Sequence, residues 1–127
     1  MNDHFFLSTT DIPFSEIAEV ISSDARFDAS HTEQGVTVMS LAGRLVMSVL
    51  RIENEELSSA ERRMFQERDI RACFCLSHRS SEVEEVLLPL TRALLQRLGG
   101  WIGGDEDGFE PILELNELES LRAAGAI

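Results

Sequence analysis

The sequence predicts an α+β fold, a small antiparallel sheet with helices packed on one face, in the order β-α-β-β-β-α-β-β-α. Three observations predict it. Short apolar and β-branched runs indicate strands, two longer runs carry apolar residues at helical spacing, and glycines separate several of these segments. A chain of 127 residues with 43% apolar content is typical of one domain, so we expect a single unit over residues 1–127.

The first strand is predicted at Phe5–Ser8. Asp11 is then placed to cap a helix that has Pro13 in its first turn and ends at about Ser23. One face of this helix is apolar and consists of Phe14, Ile17, Ala18 and Ile21.

A hairpin is predicted next, because the runs Val36–Leu41 and Leu45–Glu53 are separated by Ala42-Gly43. The following stretch, Glu55–Asp69, is charged and has few apolar residues, so we expect an exposed excursion. It can hold a helical turn or two, since Ser58 and Glu61 have capping-box spacing.

The clearest strand pattern is Ile70–His78, where apolar residues alternate with partly polar ones. The predicted core face is Ile70, Ala72, Phe74 and Leu76, and the other face is Arg71, Cys73, Cys75 and Ser77. Cys73 and Cys75 are the only cysteines, and we interpret them as reduced thiols packed as small hydrophobes in preference to a redox or metal site.

The strongest helix signal runs from Glu82 to Leu98 and is stopped by Gly99-Gly100. Ser81 and Glu84 form a second capping-box pattern. Pro89 removes a backbone donor inside this helix, which predicts a kink near Glu85–Pro89.

The C-terminal part predicts a last hairpin and a short helix. Trp101-Ile102 and Ile112–Leu115 are the expected arms, the Gly103–Glu110 segment is the loop, and Glu117–Ala124 is the terminal helix.

Acidic residues dominate both ends of the chain, which has a net charge of −12. The acids outnumber arginines seven to one in residues 1–43 and again in residues 98–127, whereas the two balance at nine each between them. Such a surface repels nucleic acid and anionic lipid and steers basic proteins toward itself. No apolar run approaches the roughly 20 residues that span a bilayer, and the N-terminus has no secretory-signal pattern, so a cytoplasmic protein is expected.

Patterns for catalysis, cofactors or metals are weak. The glycine-rich segment Gly99–Gly104 follows a helix, whereas a phosphate-binding loop follows a strand. The segment that begins at Asp105 lacks the glycine and the acid that a calcium loop requires. His4, His31 and His78 have no partner at a spacing that sequence can link to them. We therefore expect no catalytic residues, no cofactor and no metal.

One segment combines aromatic and acidic residues in the manner of a protein-binding hot spot. The candidate partner-binding residues are Trp101, Asp105, Glu106, Asp107, Phe109, Glu110 and Glu114. A second interpretation explains the same residues as a solvated acidic turn whose two aromatic side chains lie in the core. The further acidic run Glu53, Glu55 and Glu56 is interpreted as a solvated strand end.

The layout from Phe5 to Leu115 resembles small bacterial immunity proteins. The shared pattern is a strand, a helix with a proline in its first turn, a hairpin, an alternating strand, and a leucine-rich helix that ends in a glycine turn and hairpin. The pattern is most similar to the swarming-inhibition immunity proteins of myxobacteria. That resemblance implies a non-enzymatic inhibitor that occludes a cognate antibacterial toxin domain, which is often basic because it attacks nucleic acid.

Two other functions are kept open. Small acidic α/β dimers also serve as cytoplasmic secretion chaperones, which hold a segment of an effector protein unfolded. This alternative predicts a homodimer around an extended peptide. An enzyme acting on a small molecule is kept because carboxylates are abundant.

Overall fold

The computed structural model describes residues 2–79, 83–105 and 107–118. Within these ranges the chain forms a seven-stranded antiparallel sheet with three helices, so the α+β prediction is confirmed. The strand order across the sheet is β2-β3-β4-β5-β1-β6-β7. The elements are β1 (Asn2–Ser8), α1 (Phe14–Ser22), β2 (Phe27–His31), β3 (Val36–Ser40), β4 (Leu45–Arg51), α2 (Ser59–Arg68), β5 (Ala72–His78), α3 (Leu88–Leu98), β6 (Trp101–Gly103) and β7 (Ile112–Leu113).

The register of the strands defines two faces of the sheet, because residues directly opposite each other on paired strands point to the same side. Phe6 lies opposite Phe74, and Val49 lies opposite Leu76, so these side chains share the first face. Leu7 lies opposite Cys73, and Leu50 lies opposite Cys75, on the second face.

The first face carries the main core and is covered by α1 and α3. Ile17 and Ile21 of α1 and Leu90 and Leu94 of α3 are fully buried against it. Burying each such side chain contributes about 1.5–3 kcal/mol. The alternation that predicted this face is confirmed for Ala72, Phe74 and Leu76, whereas Ile70 precedes β5 and belongs to the other cluster.

The second face is partly covered by α2, which corrects the prediction that the helices pack on one face. Phe65 of α2 and Leu57 before it are buried with Leu7 and Cys73. The prediction of one or two helical turns here was too short, since α2 has ten residues. Its capping box is confirmed, because the Ser58 hydroxyl accepts the Glu61 N–H at 3.1 Å and the Ser58 N–H donates to Glu61 Oε1 at 2.8 Å.

The prediction that Asp11 caps α1 was wrong. Pro13 occupies the N-cap position and no side chain caps the helix. Asp11 instead accepts a hydrogen bond from Arg51 Nη1 at 2.6 Å. The predicted apolar face is nevertheless the one that packs, since Ile17, Ala18 and Ile21 are buried.

The strand order differs in detail from the prediction because β2 was missed and α2 is a full helix. β2 has the sequence FDASH, which is short and mostly polar, and its pairing with β3 makes it a strand. Both predicted hairpins are confirmed. Gly43 supplies the positive φ of 81° in the first, and β6 pairs with β7 in the second.

The kink predicted near Glu85–Pro89 coincides with a π-helical turn at Val83–Leu87, directly before α3. Gly99 and Gly100, with φ of 73° and 88°, end this helix. Ser81, the side chain of Glu84 and most of the predicted helix Glu117–Ala124 lie outside the described residues, so the predicted capping pair stays a prediction. Within the described ranges, no helix has the length and apolar character that crossing a bilayer requires.

Candidate protein-binding surface

The aromatic residues of the predicted acidic loop belong to the interior. Phe109 is buried, with its ring centroid 4.8 Å from that of Phe5 in an edge-on arrangement and 5.7 Å from that of Phe65. Trp101 is half-buried against the same cluster, and the Arg68 guanidinium lies 5.5 Å from its ring centroid. For these two side chains the geometry favours the second interpretation, in which they pack inside.

The carboxylates that the structure describes in this loop remain outside. Asp105 and Glu110 are exposed. Glu114 is also exposed, and its N–H donates to Glu117 Oε1 at 3.0 Å. Glu106 and the side chain of Asp107 lie outside the described residues. The predicted site is therefore divided between two aromatic side chains that pack against the interior and an acidic border, and a partner role for those acids stays a prediction.

Asp105 follows β6 closely, and β6 pairs with β1, the neighbour of β5. Burial raises the pKa of the Cys75 thiol to about 11, and the negative charges of Asp3 and Asp105 add to the rise. Asp3 also accepts a hydrogen bond from the Ser77 hydroxyl at 2.5 Å. Two carboxylates therefore border the part of the second face that contains Cys75 and Ser77.

We call the part of the second face that α2 does not cover the open half. Strand register places on it two residues from β2, two from β3, three from β4 and two from β5. They are Asp28, Ser30, Thr37, Met39, Leu45, Ser48, Leu50, Cys75 and Ser77. Each of these side chains is exposed or half-buried in the structure.

Two leucines make the open half partly apolar. Leu50 is 51% exposed and Leu45 is 42% exposed, although both lie on a strand of the sheet. Thr37, Ser48 and Leu50 border a shallow hollow of about 180 Å³. The two leucines lie near opposite ends of β4 on this face, with Ser48 between them, and exposed apolar area on a sheet is typical of a surface that another molecule covers.

The outer edge of this surface is closed to strand addition at its centre. In β2 the Ala29 N–H donates to Ser22 Oγ at 3.1 Å, and the Ser22 hydroxyl donates to the Ala29 carbonyl at 3.4 Å. The Ser22 hydroxyl at the end of α1 therefore occupies the N–H and the carbonyl of Ala29, with which an added strand would otherwise pair.

Sequence reasoning missed the open half as a site. The signal was present in β4, where Val46, Met47 and Val49 are followed by Leu50. Such a run is apolar on both faces of the strand and predicts cover on both sides. Aromatic and acidic residues close together along the chain are a local signal, whereas this surface is assembled from four strands.

Sequence reasoning also missed a buried histidine pair. His4 and His78 lie on paired strands, both are buried, and His4 Nδ1 is 2.8 Å from His78 Nε2. The Arg79 carbonyl lies 3.2 Å from His78 Nδ1 and can only accept, so His78 Nδ1 carries a proton and His4 Nδ1 donates to His78 Nε2. Burial lowers the pKa of His78. Residues 74 positions apart meet only through the register, which sequence spacing does not reveal.

The two cysteines are free thiols, and burial raises the pKa of Cys73 to about 12. Among the residues that the structure describes, no three His, Cys, Asp or Glu side chains are grouped to hold a metal ion. No protein-family model, curated protein or solved structure matches the chain.

Proposed function

We propose that the chain is an immunity protein that binds and occludes a basic toxin domain, with the open half of the second face as its docking surface. The observation that carries the proposal is the combination of exposed Leu45 and Leu50 with carboxylates at the border of the same face. Apolar area supplies binding free energy once a partner covers it, and the carboxylates select the partner.

Charge complementarity specifies the chemistry of that partner. Asp28 lies on the open half, while Asp3 and Asp105 border its other side. Lysine or arginine side chains of the partner pair with these groups. The net charge of −12 accelerates the encounter with a cationic surface and disfavours acidic partners.

The shape of the surface favours a folded partner. A row of small side chains crosses the sheet between the two leucines, so a rigid surface can approach closely there. The row is Ser30, Thr37, Ser48 and Ser77. The Ser22–Ala29 hydrogen bonds occupy the centre of the β2 edge, where a chaperone would add an extended strand of its client. These two features support the immunity function over the alternative of a secretion chaperone.

The test is co-expression with the product of the adjacent reading frame, followed by growth and complex isolation. The immunity proposal predicts rescue of cells from that product and a stoichiometric complex of two folded proteins. A harmless partner held unfolded by a homodimer of this chain would contradict the proposal and favour a chaperone. The absence of both rescue and complex would contradict both binding functions.

A charge variant tests the docking surface itself. The triple substitution Asp3→Asn, Asp28→Asn and Asp105→Asn should weaken the complex about tenfold at low salt and reduce its salt dependence, since each exposed pair contributes up to about 1 kcal/mol. The matched control is Glu55→Gln, Glu56→Gln and Glu67→Gln, which removes three exposed carboxylates on or near α2. Equal weakening by both variants would contradict the assignment of the surface.

A further inference from the structure

A second feature of the fold is a cavity of about 370 Å³ where β4 leaves the sheet and the chain returns through α2 to β5. Its walls include Leu57, Phe65 and Ile70, which are buried, and three arginines, Arg51, Arg62 and Arg71. The volume corresponds to roughly a dozen water molecules and falls in the range of small-ligand sites.

The concentration of positive charge here is unusual for this chain. Three of its eleven cationic residues line one cavity in a protein with a net charge of −12. Glu53 and Asp69 also line it, and Arg51 is paired with Asp11 at 2.6 Å, which leaves Arg62 and Arg71 as the cations available to a ligand. Two guanidinium groups beside two carboxylates suit a ligand with a single anionic group and disfavour a polyanion such as nucleic acid.

Much of the hydrogen-bonding capacity of these arginines is unused by the part of the chain that the structure describes. Arg62 donates its Nε–H to the Asn54 carbonyl at 3.1 Å, which leaves its two Nη groups. Arg71 Nε lies 3.6 Å from Asp69 Oδ1, and both side chains are largely exposed. A guanidinium has five N–H donors in a planar fork that matches the oxygens of a carboxylate or phosphate.

We infer that this cavity binds a small ligand that joins one carboxylate or phosphate group to an apolar body. Arg62 and Arg71 bind the anionic group, and the apolar body packs toward Leu57, Phe65 and Ile70. The site is separate from the open half, because none of the residues that line the cavity lies on the open half.

Titration of the free full-length protein tests the inference, with benzoate, phenyl phosphate, inorganic phosphate and benzylamine as probes and amide chemical shifts as the readout. Benzoate or phenyl phosphate should shift the signals of residues 51–57 and 62–73 in a saturable manner, and benzylamine should not. Stronger binding of benzoate assigns a carboxylate ligand, and stronger binding of phenyl phosphate assigns a phosphate ligand. Saturable binding of inorganic phosphate as tight as that of phenyl phosphate would overturn the apolar part of the inference.

Variants locate the interaction. Arg62→Ala and Arg71→Ala should each weaken binding at least fivefold, and Arg71→Lys should also weaken it because a lysine cannot form the bidentate contact. The control is Arg63→Ala, an exposed neighbour on α2 that does not line the cavity. Equal weakening by the control, or no saturable response to either aromatic anion, would overturn the inference.

Discussion

Cys73 and Cys75 lie two residues apart on β5 and point to the same face of the sheet, yet their surroundings differ. Cys73 is buried beneath Phe65 of α2 and among Leu7 and Phe109, whereas Cys75 is half-buried beside the exposed Leu50. The chain thus covers one half of its second face with its own aromatic side chains and leaves the other half open. We interpret the covered half as structural and the open half as the surface kept for a partner.

The largest effect should follow from removing an aromatic side chain of the covered half. Phe109→Ala leaves a cavity against Phe5 and Phe65 and should lower the free energy of unfolding by about 3–5 kcal/mol. The control Leu41→Ala, at a leucine that is 77% exposed, should change it by less than about 0.5 kcal/mol. Urea unfolding of both variants measures the difference. Similar stabilities would contradict the structural role of the covered half.

Thiol reactivity should distinguish the halves in the native protein. The thiolate is the reactive form, and the pKa is about 12 for Cys73 and about 11 for Cys75. Since Cys73 is also covered, a thiol reagent at pH 8 should modify Cys75 more than tenfold faster. The single variants Cys73→Ser and Cys75→Ser assign each rate. Faster labelling of Cys73 would show that the covered half opens more readily than the account allows.

A smaller effect concerns pH and the histidine pair. Burial lowers the pKa of His78 below the ordinary histidine value of 6.5, so the unfolded chain binds protons more readily than the folded one. The stability from neutral His78 is therefore present above pH 6.5 and is lost as pH falls below it. His78→Gln should reduce this loss in urea unfolding between pH 7 and 5, and His31→Gln, at an exposed histidine, should not. An unchanged pH dependence in His78→Gln would contradict this role.

Local sequence patterns predicted the elements that interactions between neighbouring residues determine. The apolar spacing of α3, the glycine turn of the first hairpin and the alternation in β5 are properties of adjacent residues, and each was confirmed. The capping box of α2 was also predicted from the sequence. The length of α2 was not, because Phe65 is the one buried residue of this helix and its apolar pattern is weak.

The sequence did not reveal the features that depend on pairing between strands far apart along the chain. β2 becomes a strand through its register with β3, and the histidine pair forms through that of β1 with β5. The same limit applies to the candidate site. The sequence left two interpretations of Phe109, and its contacts with Phe5 and Phe65 show that it packs inside. Leu50 becomes a candidate docking residue only through the pairing of the four strands that form the open half.

The most direct test of the central claim is the affinity of the Leu50→Arg variant for the partner, compared with that of Leu41→Arg. Leu50 lies on the open half, whereas Leu41 is an exposed leucine in the turn between β3 and β4. Both variants should fold with nearly unchanged stability. Leu50→Arg places a positive charge and extra volume where a basic surface docks, so we expect at least a thirtyfold loss of affinity, equivalent to about 2 kcal/mol at a hot spot. Leu41→Arg should bind like the unmodified protein, and a Leu50→Arg variant that also binds normally would contradict the assignment of the open half as the docking surface.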